Sequence, residues 1–171
     1  MAGTFPFFIF SQTNALFLGS DWDFRYHHSE QLSSEAKISY VYAKEIENDQ
    51  PFIEIPPLNL NYTLDYTRGQ WRAGFSLDYM AKQWDAPEVI EPISFQNGNV
   101  EVNPSEIFDF MAAPDDFFLL GAKVGFDHNF LNIELKADNL LNTAYRSYTD
   151  RLRYFSDAPG RNFSLTVGLD F

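Results

Sequence analysis

The chain has 171 residues, 45% of them hydrophobic and 18% aromatic, yet its net charge is −12 and its mean hydropathy −0.28. That length allows one domain, and the acidity excludes nucleic acid as a partner, because a phosphate-binding surface needs clustered Lys and Arg. The lack of cysteine excludes disulfides and thiolate metal sites, and no stretch approaches the roughly 18 apolar residues of a spanning helix.

The N-terminal Met1-Ala2-Gly3-Thr4 carries no basic region, and Phe5-Pro6-Phe7-Phe8-Ile9-Phe10 is too short and proline-broken for a signal-peptide core. From Asn14 to Tyr26 the sequence alternates with period two, the signature of a strand with two unlike faces. Leu16, Leu18, Ser20, Trp22, Phe24 and Tyr26 oppose Phe17, Gly19, Asp21, Asp23 and Arg25. His27 to Gln31 reads as a short polar turn; its adjacent histidines point to opposite faces and suit exposed turn positions better than a shared metal. Ala36, Ile38, Tyr40 and Tyr42 form one side of the next strand, and Lys44 to Pro57, charged and then proline-rich, is a loop.

Leu58, Leu60, Tyr62, Leu64 and Tyr66 alternate with Asn59, Asn61, Thr63 and Asp65 up to a tight turn at Thr67–Gln70. The returning strand sets Trp71, Ala73, Phe75, Leu77 and Tyr79 against Arg72, Gly74, Ser76, Asp78 and Lys82. Gln83 to Asp116, with four prolines and many carboxylates, breaks the rhythm and reads as a long functional surface loop. Phe118, Leu120, Ala122, Val124 and Phe126 resume it, Asp127–Asn129 turns the chain, and Leu131, Ile133, Leu135 and Ala137 return. After a loop at Tyr145–Pro159 the closing strand alternates without exception from Phe163 to Phe171.

The pattern predicts an all-β antiparallel meander of about seven strands whose loops are sorted, short turns at one end and long loops at the other. A bacterial outer-membrane barrel has that arrangement, with spanning strands of about 9–11 residues and aromatic girdles. Trp22, Tyr26, Tyr62, Tyr66, Trp71 and Tyr79 are the expected girdle. Two alternatives share the periodicity: a small complete barrel with a structural or adhesive role, in which Phe5–Phe10 supplies an eighth strand, and a soluble barrel that turns its apolar face inward around a ligand.

Three blocks carry a resemblance. The run Asp138-Asn139-Leu140-Leu141-Asn142-Thr143-Ala144-Tyr145-Arg146, the segment Arg151-Leu152-Arg153-Tyr154-Phe155, and Pro159-Gly160-Arg161-Asn162-Phe163 before a terminal Phe171 resemble the C-terminal end of a TonB-dependent outer-membrane receptor. Ile55-Pro56-Pro57-Leu58-Asn59-Leu60 is similar to that family's re-entry from an outer loop, and Asn14 to Asp21 to an earlier strand. The resemblance implies a transmembrane barrel of about 22 strands in the bacterial outer membrane, of which residues 1–171 are the C-terminal segment, open as a fragment. It implies active uptake of a ferric siderophore or similar metal chelate, driven by the TonB energy-coupling complex through a plug and contact box that this segment does not contain. It also implies the lipid bilayer and the outer-membrane assembly machinery as partners, the latter reading Ser164, Leu169 and Phe171 at the terminus, although Thr166 stands where the family has glycine.

No spaced catalytic set stands out, so an enzyme is not expected and no cofactor is implied. Ligand contacts are expected from the outer loops, at Trp84, Tyr148, Arg151, Arg153 and Tyr154, since arginine suits bidentate contact with carboxylate or catecholate oxygens. The plainer reading pairs Arg151 and Arg153 with Asp150 and Asp157 to order the loop. Lys123, Glu134 and Lys136 are expected to bridge neighbouring strands or the plug.

Overall fold

A computed structural model describes residues 12–86 and 113–169, together with the backbone of 93–96 and 99–102. The Phe5–Phe10 run, Phe171 and the side chain of Tyr154 lie outside the described residues. Seven strands form one antiparallel sheet: β1 (Ala15–His27), β2 (Leu32–Glu45), β3 (Asn59–Arg68), β4 (Trp71–Met80), β7 (Phe117–His128), β8 (Leu131–Asp138) and β9 (Asn162–Leu169). Between β4 and β7 a separate hairpin pairs β5 (Ile93–Gln96) with β6 (Asn99–Val102). The long acidic stretch is therefore not wholly irregular, as its broken periodicity had suggested; the hairpin flanks the Asn97-Gly98 pair, a strong short-range turn signal.

Neighbours in the sheet are neighbours in sequence, apart from the β5–β6 excursion, so the topology is a plain meander. Short turns join β1 to β2, β3 to β4 and β7 to β8 at one end. Long connections join β2 to β3, β4 to β7 and β8 to β9 at the other. The strands run further into the short turns than the polar residues suggested, leaving only Gly69-Gln70 and Asn129-Phe130 in two of them. Gly69 at φ 60° and Asn129 at φ 48° supply the left-handed backbone such turns require. Lys82 lies beyond β4, where its ammonium sits 3.1 Å from Asp115, and so does not belong to that strand's polar side.

Register carries the faces across the sheet, since directly opposed residues share a side. One lateral row runs Ala36, Tyr62, Leu77, Leu120; another runs Leu64, Phe75, Ala122, Ala137, Phe163. Every apolar set identified in the sequence thus falls on one face. The rows Asp65, Gly74, Lys123, Lys136, Ser164 and Thr67, Arg72, Gly125, Glu134, Thr166 define the other. Tyr26, Tyr66 and Trp71 stand at strand ends as girdle positions should. Trp22 and Tyr62 do not: they lie inside their strands and extend the apolar face rather than its rim.

Among the described residues no second layer covers the apolar face. Few apolar side chains among them are buried, Ala43, Pro57, Ala137 and Tyr148, whereas Leu18, Trp22, Phe24, Trp71, Leu165 and Val167 are all exposed. Soluble monomers rarely leave an apolar area of this extent open to water.

Candidate functional site

The polar face is laced with charge pairs whose reach depends on glycine. Lys123 on β7 passes over Gly74 on β4 and places its ammonium 2.9 Å from Asp65 on β3. A β-carbon at Gly74 would stand 2.9 Å from both Lys123 Cγ and Asp65 Oδ1, so the two side chains would have to shift to admit it. Arg72 lies likewise across Gly125, its Nε 2.6 Å from Asp127 and its Nη1 3.8 Å from Glu134. Lys136 pairs with Asp138 on its own strand at 2.8 Å. Towards β1, Glu35 is shared by Arg25 at 2.6 Å and Lys37 at 3.4 Å. Lys123 and Glu134 thus bridge to other strands of the sheet, as one of the two expectations has it, whereas Lys136 pairs within its own strand.

The connection between β8 and β9, residues 139–161, folds back over the long-loop end of this face. Its roots are fixed by two asparagines with left-handed backbones, Asn139 at φ 49° and Asn142 at φ 55°. Asn139, 5% exposed, accepts from the Thr143 amide at 2.9 Å and donates to the Thr143 carbonyl at 2.9 Å and that of Pro159 at 3.4 Å. Asn142 Oδ1 accepts from the Arg161 amide and would lie 2.7 Å from a β-carbon at Gly160. From those roots the segment crosses the sheet: Tyr145 packs on Phe117 of β7 with ring centroids 4.5 Å apart, and Ser147 Oγ sits 3.6 Å from Met80 Sδ of β4. Phe117 and Met80 are apolar residues on the polar face, and the crossing segment is what they pack against. A shallow hollow remains under its roots, bounded by Ser76, Asp78, Asp138, Asn162, Tyr145 and Gly160.

Within the crossing segment, Arg146 ties its two limbs together, with Asp157 at 2.6 Å and the Arg153 carbonyl at 2.8 Å. Asp150 caps a 3-10 turn over Arg151–Tyr154 by accepting from the Leu152 amide. Tyr148 is 2% exposed and Arg153 5%, the guanidinium carbon 4.5 Å above the tyrosine ring. Arg151 points out of the segment and donates twice to Glu54 in the β2–β3 connection, at 2.9 Å each.

The residues expected at a ligand site are therefore only partly together. Tyr148, Arg151 and Arg153 share one segment, with the first and last packed inside it. Trp84 stacks on Tyr40 of the apolar face, 5.8 Å between centroids, and belongs to the rim of that face. The segment is ordered by ion pairs, but not by the pairs expected: Asp157 takes Arg146, Asp150 serves as a cap, and Arg151 goes to Glu54, a partner 97 residues away in sequence that local spacing could not reveal. Ser164 and Leu169 stand on opposite faces of β9, the first opposite Lys136 and the second opposite Leu131. Among the described residues no three His, Asp or Glu side chains come together to hold a metal, and no helix is long and apolar enough to cross a membrane.

Comparison with protein families and with curated proteins gave no match. Among solved structures, the chain is similar to the copper transporter OprC, with a TM-score of 0.75 at 19% identity over 93% of this chain. The match spans 23% of OprC. The fold is thus shared with a section of that transporter: all-β, with seven antiparallel strands in one open sheet among the described residues.

Proposed function

We propose that the chain is the C-terminal section of the wall of a TonB-dependent outer-membrane receptor, importing a scarce ligand of the metal-chelate class. The observation that carries this reading is the pair of unlike faces kept in register across all seven strands, one apolar and uncovered, the other charged and internally paired. Lipid is the medium that such an apolar face suits, and a wetted barrel interior suits the other. The two edges point the same way. β1 and β9 each have one partner among the described residues, and unpaired backbone groups are not tolerated in hydrocarbon.

On this reading the short turns are periplasmic, the long loops face outward, and further strands close the barrel. The name of OprC supports a metal-containing ligand; a ferric siderophore is the form that the family resemblance adds. The plug, the contact with TonB and the remaining strands belong to the part of the receptor preceding residue 1. The gene upstream of Met1 tests this directly. The expected finding is an in-frame plug and about fifteen further strands, with TonB-dependent uptake of the metal chelate by cells expressing the whole frame. An upstream region encoding neither would overturn it.

A further inference from the structure

We propose that the β8–β9 connection is a strap, latched across the barrel mouth by Arg151 and Glu54; the placing of this strap at a mouth rests on the receptor reading above. The strap passes from its roots at Asn139 and Asn142 over Phe117 and Met80, spanning β7 and β4, and ends on a loop that belongs to β2 and β3. Two strands of the sheet, β4 and β7, lie between the strand pairs whose loops the latch joins.

The far half of the latch is itself anchored. Phe52 stacks on Phe17 at 5.5 Å, Gln83, which is buried, donates to the Ile55 carbonyl at 2.9 Å, and Asp49 pairs with Lys44 at 2.6 Å. The strap's near half is a unit of its own, closed by Arg146 on Asp157 and by Arg153 over Tyr148. Among the described residues one bidentate ion pair thus joins two pieces that are each internally tied. Two features place the latch near balance. The guanidinium is exposed, so solvent and salt weaken the pair. Glu54 holds a left-handed backbone at φ 58°, which a residue of its type rarely adopts and which opening can relax.

Hydrogen exchange on the whole receptor purified in detergent tests the latch. Glu54→Arg or Arg151→Glu alone should speed exchange of the 145–158 amides about two- to five-fold, leaving β7 and β8 amides unchanged. Combining the two substitutions should restore slow exchange. The unaltered receptor provides a second measurement: raising sodium chloride from 0.05 M to ~1 M, where screening reaches ~3 Å, should speed the same amides. Unchanged exchange in the single variants, no restoration in the double, or indifference to salt would each overturn the latch. Loss of heat-modifiable migration in the unaltered protein would instead strike at the barrel reading and is scored separately.

Discussion

At the scale of single residues, the polar face is built by what is missing. Lys123 and Asp65 occupy the space above Gly74 and would have to shift for a β-carbon there, whereas one at Gly168 would meet Asn132 Cβ at an ordinary 3.6 Å. Gly74→Val should therefore cost about 1–3 kcal/mol by overpacking and by parting the Lys123–Asp65 pair, while Gly168→Ala should stay within about 0.5 kcal/mol. Urea unfolding of the two variants in lipid vesicles separates them. Asn139 is the other residue with a position of consequence, since a single buried amide joins the start of the strap to its end. Asn139→Ala removes three hydrogen bonds and should destabilise the strap by about 2–4 kcal/mol, visible as proteolysis between residues 143 and 159 with the sheet still protected.

At the scale of elements, period-two alternation decides which side of each strand meets which medium. Leu77, flanked by Tyr62 and Leu120 on the apolar face, lies inside its strand and should tolerate no charge. Leu77→Arg is expected to cost about 2–4 kcal/mol in a bilayer, against less than about 1 kcal/mol for Thr63→Arg on the polar face. Equal costs would mean that the faces are not solvated differently.

The strands were legible for the same reason. In a two-faced sheet each residue's side is set locally, so Leu58 to Tyr66 or Phe163 to Leu169 announces itself without knowledge of its neighbours. The strap was not. Asn139 and Asn142 were visible as part of a recognisable block, but nothing local says that their amides fasten Pro159 and Arg161. Arg151 was picked out for its chemistry; its partner Glu54 lies in another loop, reached only because the meander brings both loops to the same end. Phe117 and Met80 broke the alternation as apolar residues on the polar side, and that breach was the one available sign that something packs there.

At the scale of the whole molecule, the proposed wall between lipid and a wet interior accounts together for the sorted loops, the paired charges and an apolar face that the described residues leave uncovered. An odd number of strands also has a consequence. β1 and β9 run parallel, so a barrel that keeps every neighbour antiparallel must add an odd number of further strands between them.

The orientation of the two faces is most directly measured on β9. Single cysteines at Phe163, Leu165 and Val167, and at Ser164 and Thr166, can be introduced into the whole receptor and probed in intact outer membranes. Water-soluble maleimide should label positions 164 and 166 and spare 163, 165 and 167, which should instead respond to a lipid-dissolved nitroxide quencher after labelling in the unfolded state. Labelling of the odd set by the water-soluble reagent, or quenching of the even set from the lipid, would contradict the account.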